Sequence, residues 1–77
     1  MNKQRCDQLK EIKEQLSELK GRVENLRDEE QEALDNLPES LQDSDKGQAM
    51  QASIDAMEES IDSIASGMDF IDQAIGE

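Results

Sequence analysis

One interruption separates two apolar repeats of the same period, and that limits the chain to very few folds. Leu9, Ile12, Leu16, Leu19, Val23 and Leu26 follow one another at alternating spacings of three and four residues. After the segment 37–47 the alternation returns at Met50, Ile54, Met57, Ile61, Ile64, Met68, Ile71 and Ile75. A helix turns about 100° per residue, so such spacing draws one apolar stripe down one face, the seam of a coiled coil. Two stripes joined by a short polar connection predict an all-α fold, an antiparallel two-helix coiled-coil hairpin. The expected bounds are a first helix near 3–36, a loop at 37–44 and a second helix near 45–75, all in one domain over 1–77.

Local signals place the break. Pro38 disfavours helical geometry at the residue before it, so the first helix should end near Asn36, and Pro38 can itself open a short helical turn through Leu41. Asp43, Ser44 and Asp45 each offer an oxygen to cap the second helix; Ser44 is the expected N-cap, and acidic neighbours suit the positive end of that helix. Gly47 falls in its first turn, where its low helix propensity is a modest cost.

With Leu9 at heptad position a, an antiparallel alignment matches an a residue with a d residue in every layer from Ile12 with Ile75 to Leu37 with Met50. Leu16 then lies by Ile71, Leu19 by Met68, Leu26 by Ile61, Glu30 by Met57 and Ala33 by Ile54. On the e flank the alignment sets Lys13 near Asp72 and Arg27 near Glu58. Exposed pairs of this kind contribute only ~0.2–1 kcal/mol, so they select orientation more than they stabilise. Glu30 in the seam either fixes register as a buried polar group or reaches solvent beside the hairpin's end. Met50, Met57 and Met68 fill the core or form an adaptable methionine surface.

The chain is short for a self-sufficient core. At 77 residues, small domains commonly need a disulfide, a metal or a partner copy. A lone Cys6 gives no internal disulfide and suits a cytoplasmic setting, with oxidation between chains its main chemistry. No His, Trp or Tyr is present and no phosphate loop, calcium loop or Cys/His metal pattern occurs. The expectation is therefore a non-enzymatic protein with no catalytic residue, cofactor or metal. No apolar run is long enough to span a bilayer, and no apolar signal core follows the N-terminus, so a cytoplasmic protein that does not enter a membrane is expected.

Self-association has a natural surface on the second helix. Ala56, Ser60, Ser63, Gly67, Phe70 and Ala74 occupy its c and g positions and form a small-residue stripe free of acid. Two hairpins packed there would make a four-helix bundle dimer. Alternatively the stripe is a docking groove anchored by Phe70.

The net charge of −12 is unevenly spread. Residues 1–37 hold seven Lys/Arg and ten Asp/Glu, a balance of −3, whereas residues 38–77 hold one Lys and ten Asp/Glu, a balance of −9. On the second helix Asp55, Glu58, Glu59, Asp62, Asp69 and Asp72 all fall at b, e or f. Such a surface repels phosphates and anionic lipids, which disfavours direct nucleic-acid or membrane binding and favours a basic protein partner. The plainer account is that the acids keep a small protein dissolved. Mimicry of duplex DNA demands about one charge per 1.7 Å. These six acids are spread over about 26 Å of helix, so one helix is too dilute and a dimer would come closer.

The run EEQEALDNLPESLQDSDKGQAM (29–50), and within it ALDNLPESLQ (33–42), resembles a group of small acidic hypothetical proteins of Gram-positive bacteria and their prophages. The resemblance covers roughly residues 25–75 and carries no catalytic residue over. It implies a phage-linked context in which a small acidic protein binds and blocks a host protein. Two function classes stand. One is a protein-binding module, a phage accessory factor or inhibitor acting through the acidic face. The other is an oligomeric helical scaffold or small-ligand sponge that binds between hairpins, using the small-residue stripe and Arg22 opposite Gly67.

Overall fold

The computed structural model describes residues 1–76; Glu77, the last residue of the expected domain, lies outside the described residues. The chain is all-helical, with α1 at Lys3–Asp35, a one-turn α2 at Glu39–Gln42 and α3 at Asp45–Ile75. The two long helices contact each other in a hairpin-like pair, and α2 packs on α3. The Cα envelope measures 58 × 15 × 14 Å. Its length fits a helix of 33 residues, about 50 Å at 1.5 Å per residue, plus the connection.

Each boundary has a chemical cause. Asn2 caps α1, its side chain accepting from the Arg5 backbone N–H at 2.9 Å. After Asn36 the chain turns at Pro38, whose carbonyl accepts from Leu41 at 2.8 Å and Gln42 at 3.2 Å, closing α2. Ser44 is the N-cap of α3: its hydroxyl donates to the Leu41 carbonyl and accepts from the Gly47 N–H at 3.4 Å. Gly76 ends α3 at φ 83°, a left-handed conformation that glycine adopts without strain, and donates to the Asp72 carbonyl.

Gly47 is more than a weak helix former. It is buried, and a Cβ built on it would stand 2.0 Å from the Gln42 carbonyl oxygen and 2.8 Å from that of Leu41. The backbone of α2 rests directly on the first turn of α3, and only hydrogen fits between them. The cost read from propensity is thus the condition for the turn.

The seam lies partly where the spacing predicts it. On α3, Met50, Ile54, Met57, Ile61, Ile64, Met68, Ile71 and Ile75 are all buried or half-buried, and Ile54 is only 1% exposed. On α1 the a residues Leu9, Leu16, Val23 and Leu37 are half-buried as expected, and Glu30 is half-buried with them, but the d residues are not. Ile12, Leu19 and Leu26 are 45%, 46% and 57% exposed, and Ala33 is exposed too. The e residues Cys6, Lys13, Lys20, Arg27 and Leu34 take their place, with Leu34 buried. The layers Ile12 with Ile75, Leu19 with Met68 and Leu26 with Ile61 are corrected accordingly: α1 is turned by about 50°, from an a/d to an a/e face. The physical reason is that long basic side chains lay their methylene stems over apolar surface while their charged ends reach acid or water.

The far end of the pair is tied by charge. Lys13 Nζ lies 2.7 and 2.9 Å from the two carboxylate oxygens of Asp72, the pairing expected on the e flank. Arg27 instead binds its neighbour Asp28 through Nε at 3.1 Å and Nη2 at 3.0 Å, and among the described residues it forms no ion pair with Glu58. Lys20 pairs with Glu24 one turn along the same helix at 3.8 Å.

Two stability tests arise from this fold. Gly47→Ala should lower the urea midpoint: overpacking costs about 1–3 kcal/mol, against a propensity gain of up to ~1 kcal/mol. Gly21→Ala, where the added methyl meets nothing within 4 Å, should raise it. Equal shifts in the two variants would refute the close contact between α2 and α3.

Lys13→Met should cost no more than about 1 kcal/mol, because both partners are more than a third exposed. The difference from wild type should vanish in 1 M salt, where the Debye length is about 3 Å. A loss that persists in salt would mean that packing of the lysine stem, rather than charge, holds the far end together.

Candidate partner-binding surfaces

Three surfaces flank the seam, and the heptad geometry sets their order. Position e lies about 40° to one side of a, and d and g lie about 60° and 120° to the other. Lys13 and Asp72, both at e, are bonded, so the e flanks of α1 and α3 share one side of the pair. Their d and g positions therefore share the opposite side.

The acidic surface follows the b, e and f positions of α3. Asp55, Glu58, Glu59, Asp62 and Asp69 are exposed, and among the described residues none of them forms an ion pair. Asp55 accepts a hydrogen bond from Gln51, one turn earlier, at 2.9 Å. Asp72 differs from the other five. It is half-buried and its carboxylate is neutralised by Lys13, so it belongs to the joint between the helices as much as to the outer face.

The small-residue stripe lies on the d/g side of α3. Ala56, Ser60, Ser63 and Ala74 are exposed, Gly67 is half-buried and Phe70 is 66% exposed. Arg22 is exposed as well. Beside the stripe runs the ridge of Ile12, Leu19 and Leu26 on α1, which heptad counting alone assigns to the seam. Spacing reports that a stripe exists; it does not report which of two neighbours covers it.

The third surface is a shallow groove of about 390 Å³ near the far end, lined by Lys10, Lys13, Glu14, Ser17, Met68, Asp72 and Ile75. Its charges are mixed, and its central carboxylate is already bound to Lys13. It does not coincide with the interhairpin space expected for a ligand sponge. Spacing gave one usable signal for it, the pairing of Lys13 with Asp72.

Among the described residues no group of three His, Cys, Asp or Glu side chains converges on a metal-sized point. Among the described residues no helix is long and apolar enough to cross a membrane. Cys6 is half-buried, its sulfur 4.0 Å from the Met1 carbonyl. No protein-family model matches the chain, and no curated protein or solved structure matches it either.

Proposed function

We propose that the chain is an antiparallel coiled-coil hairpin, paired with a second copy as a four-helix bundle, that serves as a non-enzymatic protein-binding module. Its contact surface is the acidic face of α3, and its partner is a basic protein. The observation that carries this proposal is the line of Asp55, Glu58, Glu59, Asp62 and Asp69, exposed and forming no ion pair among the described residues. An acid bound to a neighbouring lysine contributes little outward field, whereas these five leave theirs directed at solvent, where it can speed and orient the approach of positive charge. Asp72 contributes least, because Lys13 already cancels it.

Setting and mode follow the same chemistry. The acidic surface opposes contact with phosphate backbones or anionic lipid. The sequence resemblance to prophage-borne acidic proteins suggests a cytoplasmic accessory factor or inhibitor of a host protein.

The test is capture from a bacterial lysate by immobilised full-length protein, run at 0.1 M and 1 M salt. Asp55→Asn, Glu59→Gln, Asp62→Asn and Asp69→Asn together should abolish capture while the helical circular dichroism is kept, and 1 M salt should release what wild type holds. Capture that survives both treatments would mean that the acids only keep the chain dissolved.

A further inference from the structure

The rotation of α1 leaves an apolar ridge with no cover in the chain itself. Ile12, Leu19 and Leu26 stand seven residues apart, about 10.5 Å along the helix, and each is roughly half exposed. On the same side lie the d, g and c positions of α3, from Lys46 to Ala74. Together with the d and g positions of α1 they form one long face.

Charge marks this face out. Its charged residues are Arg5, Arg22 and Lys46 against Glu29, a balance of +2 in a chain of −12, and the next acids, Glu11, Glu18 and Glu32, stand at its margin on the c positions of α1. Two copies meeting by the b, e and f positions of α3 bring acid against acid. Here they do not.

Area agrees. A compact monomer of 8.7 kDa should expose roughly 4700 Å². This chain exposes 5627 Å², an excess of about 900 Å². One partner in a standard stable interface contributes about 800 Å².

We propose that a second copy of the chain packs on this face, with Ile12, Leu19 and Leu26 of α1 at its centre and Gly67 and Phe70 of α3 at its edge. The proposal rests on the four-helix reading above and moves the middle of the interface from α3 to α1. With α3 covering the a/e side of α1, the d residues point about 90° away from it, toward where a third helix of a bundle would lie.

Sedimentation of the full chain at high micromolar concentration should give twice the monomer mass of 8.7 kDa. Leu19→Asn with Leu26→Asn should give monomer, with helical content kept because neither side chain is in the α1–α3 seam. If that variant loses its helices, thiol modification decides. In a Cys6→Ser background, Leu19→Cys should be alkylated more slowly as protein concentration rises, roughly tenfold once one chain in ten remains unpaired. Gly21→Cys, at an outward f position where an added side chain meets nothing within 4 Å, should react at one rate throughout.

A wild-type chain that stays monomeric would overturn the proposal and leave the ridge for a different apolar partner. A dimer indifferent to the double substitution, or equal and concentration-independent rates at 19 and 21, would also overturn it. None of the substituted residues belongs to the acidic set, so loss of lysate capture and loss of pairing are read separately.

Discussion

The contact of α1 with α3 that buries Leu34, Ile54 and Ile61 is the tertiary interaction on which the rest of the chain depends. Leu34 and Ile54 lie in the half of the pair nearest the connection, as does the buried Gly47, and Ile61 lies at the middle of α3. At the connection end α2 folds down on the first turn of α3, and the capping hydroxyl of Ser44 closes the corner. Toward the far end Leu9, Leu16, Ile71 and Ile75 are only half-buried, and the joint passes to the ion pair of Lys13 and Asp72. Two helices have one shared face, and surface grows faster than core in anything so thin.

How much of this could be read from spacing differs between the two helices. The helix ends, the Pro38 turn, the Ser44 cap and the seam of α3 follow from local rules, because each depends on a few adjacent residues. In α3 the a and d positions from Met50 onward are all Ile or Met, while the flanking e and g positions are acidic, small or polar, so only one face can be buried. In α1 the choice is less constrained. Its a/d stripe is apolar, but its e positions include Lys13, Lys20, Arg27 and Leu34, whose stems cover apolar surface nearly as well. A period identifies the a stripe and leaves open which side of it turns inward. Propensity misses the role of Gly47 for a related reason: it is a property of one residue, whereas the burial of Gly47 depends on where α2 comes to rest.

The candidate surfaces were legible in the same measure. Positions b, e and f of α3 follow from counting, and five of the six acids there are exposed as counting suggests. Asp72 is the exception because its environment is made by the other helix. Its pairing with Lys13 was foreseeable from the antiparallel alignment, but the consequence, that it contributes little to the outward field, requires the bonded geometry. Arg27 shows the converse. Alignment offers it Glu58, yet Asp28 is adjacent in the chain, and an exposed guanidinium gains too little from a cross-helix partner to be held away from a nearer carboxylate.

The two flanks of the seam thus divide the work by chemistry. On the e side, Lys13 of α1 and Asp72 of α3 meet across the joint and mark which flank is which, at small energetic gain. On the d side acid is nearly absent, and apolar ridge and small residues lie next to each other. A chain with twenty acids in 77 residues would by chance spread them over every face. Keeping one face clear concentrates the repulsion elsewhere, so under the proposed reading the distribution would set both where a second copy approaches and where a basic protein is drawn. Those two directions do not overlap. Pairing through the clear face would leave the acids of both copies outward and place two such lines on one assembly, doubling the charge presented to a basic partner without moving a single acidic side chain.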